Sequence, residues 1–254
     1  MAGRVLVGTS GWVYPHWRGV LYPPGLAARD WLPHYATRFA TVELNNSFYR
    51  LPAKAAFRAW RAAAPEGFTF AVKASRYLTH LKRLREPRAP LDRLLRRVRA
   101  LDDALGPVLF QLPRQLHYER RRLETFLRAL ERQRLVPGLR AALEVRHASW
   151  LVPQVSERLA EANVALCFHD ARVQPVTEPV TADFVYVRRH GTTRRLRGSY
   201  TEAMLRADAA RVRDWRGRGL DVYVYFNNDG GGMAVRNAGR LLALLGAQPA
   251  RAAA

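Results

Sequence analysis

Residues 143–150, Leu-Glu-Val-Arg-His-Ala-Ser-Trp, carry the pattern that decides the fold expected of this chain. Apolar and ionisable side chains alternate from Leu143 to Arg146 at the period of a β-strand, and the strand then releases polar residues into a loop. Burying charged groups is costly unless they have partners. This stretch therefore predicts further strands with polar ends that meet it in one pocket.

Short apolar strands with polar ends recur along the chain, and most of them are followed by a helical pattern. Besides the stretch at 143–150, strands are predicted at 5–9, 41–45, 68–73, 108–113, 164–168, 184–188 and 222–226. Helices are predicted at 30–39, 54–64, 91–105, 119–133, 154–161, 200–216 and 235–245. The connection 171–183 contains Pro175 and Pro179 and has no helical stripe. Eight strands with mostly helical crossovers predict an α/β fold, a TIM-type barrel with an irregular connection between strands six and seven; a doubly wound open sheet is the alternative.

Length and composition favour one domain inside the cell. The 254 residues are 48% hydrophobic, and no Pro/Gly/Ser-rich linker divides them. We expect a single domain over 1–246 and a disordered tail over 247–254. The sequence shows neither a signal-peptide pattern nor an 18-residue apolar window, which predicts a cytoplasmic protein with no membrane span. The one cysteine, Cys167, lies in an apolar strand and is predicted to be a packed thiol rather than a nucleophile.

The net charge of +21 is the strongest compositional signal. Such an excess of arginine and lysine favours polyanions, so the predicted partner is nucleic acid or an anionic small molecule. A solvated basic surface with no partner is the structural alternative. The oligomeric state is left open.

Strand parity predicts which polar side chains face the barrel interior. Alternate residues of a barrel strand point inward, and active sites of TIM barrels lie at the carboxyl ends of the strands. The inward set is Glu43, Asn45, Lys73, Ser75, Gln111, Glu144, Arg146, His169, Tyr186, Arg188, His190 and Asn227. We predict catalytic roles for Glu43, Lys73, Glu144, His147 and His190. The predicted substrate-binding residues are Ser10, Trp12, Asn45, Tyr49, His80, Gln111, Arg146, Trp150, Asp170, Arg188, Asn227 and Asn228.

Each charged residue of this set also has a structural interpretation. Glu43 with Lys73, and Glu144 with Arg146 or Arg188, are alternative buried ion pairs. Glu43 and Glu144 could serve together as a glycosidase acid and base, but the sequence gives no separation between them. Lys73 is a candidate Schiff-base amine, charge partner or anion ligand.

The sequence also leaves the roles of three other motifs undecided. Three strand-end histidines, His147, His169 and His190, could bind a divalent metal with nearby carboxylates, yet they lack a compact ligand spacing. The triple glycine at 230–232 is either a phosphate cradle or a plain turn. Aromatic residues on the predicted rim either stack on a base or sugar or pack loops. They are Trp12, Trp17, Tyr22, Phe48, Tyr49 and Trp150.

Several of these motifs together resemble the YecE-like family, also called domain of unknown function seventy-two. The resemblance runs in order through the stretches 8–12, 42–49, 70–73, 111–113, 144–150, 188–191 and 225–228, with Trp17, Tyr22-Pro23 and Thr79-His80 between them. Asn46 and Val145 depart from the family pattern. The resemblance implies a TIM barrel with these residues around its mouth. It implies no settled activity, and it says nothing of the arginine excess.

Two classes of function follow. The first is an enzyme, a hydrolase that acts on a phosphate-bearing substrate in the barrel mouth, with metal-assisted phosphodiester chemistry as its sharper version. In this hypothesis the anion is bound by Lys73, Arg146 and Arg188, and glutamate and histidine side chains transfer protons. The second is a nucleic-acid-binding protein without chemistry that uses the basic helices 91–105 and 119–133. A small-molecule or carbohydrate binder that uses the aromatic rim is a third hypothesis.

Overall fold

A computed structural model of the chain describes residues 2–171, 176–193 and 198–246. Nine strands in these residues all pair in parallel. Their bounds are β1 Val5–Thr9, β2 Thr41–Leu44, β3 Thr69–Lys73, β4 Leu105–Gln111, β5 Ala141–Glu144, β6 Val164–Leu166, β7 Phe168–His169, β8 Phe184–Arg189 and β9 Asp221–Phe226. Only Cys167 separates β6 from β7, so these two form one stave and the staves number eight in the described chain, as the sequence predicts.

The strands form two sheets that meet at two seams. One sheet has the order β2-β3-β4-β5-β6 and the other β1-β9-β8-β7. The first seam is the chain itself at Cys167, whose backbone N–H donates to the Leu143 carbonyl at 2.9 Å. At the second seam, Ser10 bridges Glu43 in parallel, and Gly8 allows close backbone contact because a Cβ there would lie 2.1 Å from the Thr41 oxygen. The fold is a TIM-type α/β barrel.

Helices cover the outside of this barrel. Their bounds are α1 Trp31–Ala36, α2 Asn46–Tyr49, α3 Lys54–Ala63, α4 Arg88–Val98, α5 Arg120–Arg132, α6 Pro153–Glu161, α7 Glu202–Gly217 and α8 Met233–Leu245. The predicted helix over 91–105 is α4 followed by a 3-10 helix, Arg99–Ala104, and β4 begins at once, three residues before its predicted start. Apolar side chains on the inner helix faces are buried, such as Leu123, Phe126 and Leu127 of α5. No helix of the described segments is long and apolar enough to cross a membrane.

The connection after β7 is irregular, as predicted. Residues 176–183 hold no helix, and Val176 instead forms an antiparallel bridge with His169. Residues 172–175, with Pro175 among them, lie outside the described residues, as does the predicted tail at 247–254.

The barrel interior is apolar in its lower part and polar toward the carboxyl ends of the strands. Its apolar lining, Leu6, Ala71, Leu109, Ala142, Ala165, Cys167, Phe184, Tyr186, Tyr223 and Tyr225, forms a buried cluster separate from the outer core. Cys167 is fully buried in this cluster, and burial raises the pKa of its thiol well above its ordinary value. The thiol is therefore a core group. The same alternation continues toward the carboxyl ends of the strands. It places four charged residues at that end of the interior, namely Glu43, Lys73, Glu144 and Arg188.

Candidate active site at the carboxyl ends of the strands

Arg188 is the centre of a buried charge network. Its Nη1 donates to Glu144 Oε2 and its Nη2 to Glu43 Oε1, both at 2.8 Å. Glu43 also accepts from Ser10 Oγ at 2.6 Å and from the Tyr186 hydroxyl at 2.7 Å. All three charged groups are almost completely inaccessible to water. Both oxygens of Glu43 therefore have hydrogen-bond donors, and Arg188 links the two glutamates.

Arg146 completes the network from the solvent side. Its Nε and one terminal nitrogen donate to Glu144 Oε1. Burial alone would raise the pKa of Glu144, but Arg146 and Arg188 together lower it well below its ordinary value. Glu144 therefore forms both of the ion pairs predicted for it, one with Arg146 and one with Arg188.

His190 is neutral and fixed in one tautomer. Arg146 Nη2 lies 2.9 Å from His190 Nε2, and because arginine can only donate, this nitrogen accepts. Nδ1 then carries the proton. The Asn227 atom that lies 3.2 Å from it is Nδ2, also a donor, so the Asn227 amide accepts this proton only if it turns its oxygen toward the ring. Burial, reinforced by Arg188, lowers the pKa of His190 well below its ordinary value. The ring is consequently a positioned hydrogen-bonding group, with its one lone pair already engaged.

Lys73 differs from its neighbours because its ammonium has no ion-pair or hydrogen-bond partner among the described residues. The predicted Glu43–Lys73 pair is wrong: Glu43 binds Arg188 instead. Lys73 Nζ lies 4.1 Å above the Phe48 ring. Burial lowers the pKa of Lys73 to about 8, with Arg188 adding to the effect. The side chain thus presents an amine at the mouth that titrates near neutral pH.

Three polar side chains near the ends of β2, β3 and β4 are free of ion pairs among the described residues. Asn45 Oδ1 is buried and accepts no hydrogen bond within the described chain. Gln111 pairs in register with Glu144 and is half-buried, with no side-chain bond in the same residues. His80 Nδ1 lies 2.9 Å from Thr79 Oγ1, and burial together with Lys73 lowers the pKa of His80 to about 4. These three side chains can therefore accept or donate to a ligand without first breaking a charge pair.

Asp170 and Tyr49 lie at the edge of this arrangement. Asp170 accepts from the His190 backbone N–H at 2.8 Å and from the Tyr200 hydroxyl, so it supports the loop that carries His190. Tyr49 is 74% exposed on the rim. Neither residue is part of the buried network.

Four predicted site residues lie elsewhere, and each is corrected by its packing. Trp12 is buried against Trp60 and Phe70, with ring centroids 5.5 and 6.4 Å away. The Trp150 indole is buried and donates to the Leu116 carbonyl at 2.8 Å. Both tryptophans are core residues, because loop residues beyond a strand no longer follow its alternation.

The other two corrections are His147 and Asn228. His147 lies one residue past inward-facing Arg146, stacks on His117 at 3.8 Å between ring centroids and accepts from the Ser149 backbone N–H at 3.2 Å. Asn228 is fully buried and donates to Asn237 of α8 at 2.8 Å. These contacts anchor loops outside the mouth.

Two residues of the site were not singled out as binding or catalytic from the sequence. Tyr186 was assigned only an inward direction, and its hydroxyl holds Glu43. Phe48 was named only among rim aromatics, and its ring lies under the Lys73 ammonium. The alternation of side chains along the strand could have identified Tyr186 as a site residue. Nothing local distinguishes Phe48, because its contact depends on how α2 folds over β3.

The donor set does not fit a divalent metal. Within the described residues, no group of three histidine, cysteine or carboxylate side chains could hold an ion. The oxygens of Glu43 and Glu144 bind arginines, and His169 Nε2 lies 2.8 Å from the Val145 carbonyl. Guanidinium groups therefore occupy the positions that a cation would take, and the predicted metal-assisted version has no ligand set in these residues.

Comparison with known proteins gives a family and a fold. A family model described as protein of unknown function DUF72 matches residues 6–254. The UPF0759 protein YunF of Bacillus subtilis strain 168 is 26% identical over 275 residues, which cover 95% of this chain and 94% of that protein. The crystal structure of a DUF72 family protein from Thermotoga maritima MSB8 has a TM-score of 0.84 and 28% identity, covering 96% of this chain and 99% of that one. D-psicose 3-epimerase with D-tagatose from Clostridium cellulolyticum H10 has a TM-score of 0.58 and 11% identity over 96% of this chain and 98% of that one, a likeness of fold alone.

Proposed function

This chain belongs to the DUF72 family of proteins of unknown function, and we propose that it is an enzyme, a hydrolase, that acts on a phosphate-bearing substrate at the barrel mouth. The observation that carries the proposal is Lys73. It is a largely buried amine with a pKa of about 8, and no described side chain neutralises it.

The charge balance of the mouth supports an anionic substrate. Arg146, Arg188 and Lys73 are three cations that face two carboxylates, Glu43 and Glu144. His190 is neutral and adds no charge. The mouth therefore carries one unmatched positive charge while Lys73 is protonated, and an anion that binds Lys73 neutralises it in a partly dry environment.

The arrangement also revises the roles expected from the sequence. Arg188 binds both glutamates, Arg146 binds Glu144, and His190 Nε2 accepts from Arg146, so these groups are already engaged within the network. Lys73 is the titratable group that remains available. In the proposal the Lys73 ammonium binds the phosphate, and a solvent water attacks the phosphorus as the P–O bond to the leaving group breaks. The ammonium donates a proton to the leaving oxygen, and the proton lost by the attacking water restores the ammonium through solvent, while Asn45 and Gln111 orient the substrate.

A substrate screen with Lys73 variants tests the proposal. We expect wild-type protein to hydrolyse at least one member of a panel of phosphate monoesters and diesters, Lys73→Met to lose at least about a hundredfold in kcat/KM, and Lys73→Arg to retain binding but not turnover. Inorganic phosphate should bind the wild type more weakly as the pH rises through 8, since Lys73 then loses its charge. Turnover that is unchanged in Lys73→Met would refute the assignment.

A second function, binding of nucleic acid without chemistry, is favoured by one separate feature. Between α4 and α5 lies a groove with a volume of about 360 Å³. Its exposed arginines are Arg88, Arg96, Arg128, Arg132 and Arg134, and none has a carboxylate partner within the described residues. We call this the α4–α5 arginine groove. Replacing Arg96, Arg128 and Arg132 by glutamine should weaken nucleic-acid binding if the groove is the binding surface, with no effect on turnover at the mouth.

A further inference from the structure

Large apolar side chains are exposed on one face of the barrel. Among the described residues, those exposed by more than a third are Val13, Tyr49, Tyr77, Leu81, Leu151 and Met204. The first five follow the carboxyl ends of β1, β2, β3 and β5, and Met204 lies in the first turn of α7. All six therefore belong to the face that carries the barrel mouth. Two of them, Tyr49 and Tyr77, are aromatic and follow the adjacent strands β2 and β3.

The loop between β3 and α4 is held in an unusual conformation. It begins with a π-helix, Tyr77–Leu81, and Arg83, Leu84 and Glu86 then adopt φ of 51°, 62° and 46°. Left-handed backbone is unfavourable for side chains of this size. Leu84 is fully buried, and its N–H donates to the Leu78 carbonyl at 3.0 Å, which anchors the loop. A strained, anchored loop beside a mouth is typical of a recognition element.

This loop and α2 present cations that lack counter-charges. Arg50, Arg76, Arg83 and Arg85 are exposed, and none forms an ion pair with a described carboxylate. The single acid of the loop, Glu86, is bound by Lys82 at 3.1 Å. We define the arginine–tyrosine rim as Tyr49, Arg50, Arg76, Tyr77, Arg83 and Arg85.

A row of rings leads from this rim into the mouth. The exposed Tyr49 ring contacts Phe48 with centroids 5.1 Å apart, and Phe48 contacts His80 at 4.9 Å. The Lys73 ammonium lies over the same Phe48 ring. Tyr49 of the rim is thus linked to the proposed catalytic amine through the Phe48 ring.

We propose that the arginine–tyrosine rim binds single-stranded nucleic acid. Proteins that bind single strands combine arginines that follow the phosphates with exposed aromatic rings on which bases stack, and the rim supplies both. A duplex offers no free base faces to Tyr49 and Tyr77, so a single strand fits this surface better. The inference rests on the proposed function, because a strand held on the rim would place a phosphate close to Lys73. Binding of the strand to the rim is nevertheless measured without turnover.

Fluorescence anisotropy with labelled 12-nucleotide single strands, one DNA and one RNA, tests the rim. The rim variant is Arg76→Gln, Arg83→Gln, Arg85→Gln. The matched control removes the same charge from the α4–α5 arginine groove by Arg96→Gln, Arg128→Gln, Arg132→Gln. We expect the rim variant to weaken binding at least about tenfold at 100 mM salt and the control less than about threefold. Circular dichroism melting curves would verify that each variant is folded.

A second variant tests stacking separately from charge. Tyr49→Ala, Tyr77→Ala leaves every arginine in place and should weaken single-strand binding by about tenfold while leaving duplex binding unchanged. Equal losses from the rim and control variants, or no loss from the tyrosine variant, would mean diffuse electrostatic attraction and would overturn the inference.

Three further outcomes distinguish this inference from membrane binding and from the proposed function. Rim-dependent binding to anionic phospholipid vesicles without rim-dependent binding to either strand would assign the surface to membranes and refute the inference. If the rim variant binds both strands like the wild type while Lys73→Met abolishes turnover of small phosphate esters, the inference fails and the proposed function stands. If the rim is required for binding but Lys73→Met leaves turnover unchanged, the inference stands and the proposed function fails.

Discussion

Glu43 and Glu144 lie on different strands and bind the two terminal nitrogens of the same guanidinium, that of Arg188, each at 2.8 Å. One side chain on β8 therefore ties β2 to β5 through the barrel interior. Both carboxylates are inaccessible to water. Although burial opposes it, Arg146 and Arg188 together lower the pKa of Glu144 well below its ordinary value, so this carboxyl is ionised.

Removal of Arg188 should be strongly destabilising. We expect Arg188→Met to lower the free energy of unfolding by about 3–5 kcal/mol, because it leaves two buried carboxylates without their shared partner. Urea denaturation monitored by circular dichroism measures this. As a control, Arg206→Met breaks an exposed pair with Glu202 and should leave the stability nearly unchanged. Equal stability of the two variants would contradict the bridge.

Acid should destabilise the protein through Glu144. Its pKa is well below the ordinary value in the folded state, so the stabilisation is complete above the unfolded pKa, near 4.5, and is lost as the pH falls through the folded pKa. We expect the free energy of unfolding to decline steadily below about pH 4.5. In Glu144→Gln the total stability should be lower and its decline over the same acidic range shallower. A parallel decline in the variant would show that other groups govern acid unfolding.

Lys73 should react first among the three lysines of the chain. At pH 8 a substantial fraction of Lys73 is the neutral, nucleophilic amine, whereas the hydrogen bond to Glu86 raises the pKa of Lys82. Mass spectrometry after brief acetylation should show preferential modification of Lys73. Inorganic phosphate should slow this modification while leaving that of Lys82 unaffected. Preferential labelling of Lys82 would contradict the low pKa.

Trp150 should act on stability and not on binding. Trp150→Phe retains most of the apolar surface but removes the donor to the buried Leu116 carbonyl, which should cost about 1–3 kcal/mol in unfolding free energy. Phosphate affinity measured by calorimetry should stay at the wild-type value. Tyr49→Ala, on the exposed rim, is the matched aromatic control and should leave the stability unchanged. A Trp150 variant that lost phosphate affinity with full stability would restore its predicted substrate-binding role.

Much of the polar interior could be predicted from the sequence because strand alternation is a local property. Each strand repeats with a period of two, so Glu43, Glu144 and Arg188 could be assigned to the interior one strand at a time. The order of strands and helices then favoured a TIM-type barrel over a doubly wound open sheet and indicated the edge at which the polar strand ends meet. The site predictions for His147 and Asn228 were wrong because each residue lies one position after the last inward-facing residue of its strand, where the alternation no longer directs the side chain inward.

The sequence by itself determined the eight strand segments and the inward direction of their charged residues, since these depend on local periodicity and chain order. The choice between a barrel and a doubly wound open sheet, which the sequence left open, came from the pairing of the strands. Only the tertiary structure decided the partners of those charges. Arg188 reaches both glutamates because the curvature of the closed barrel brings β2, β5 and β8 within the length of one side chain. Lys73 lies on the strand next to Glu43, yet among the described residues it has no carboxylate partner, because Arg188 binds Glu43 instead. This competition for carboxylates depends on distances in three dimensions, which no spacing along the chain contains.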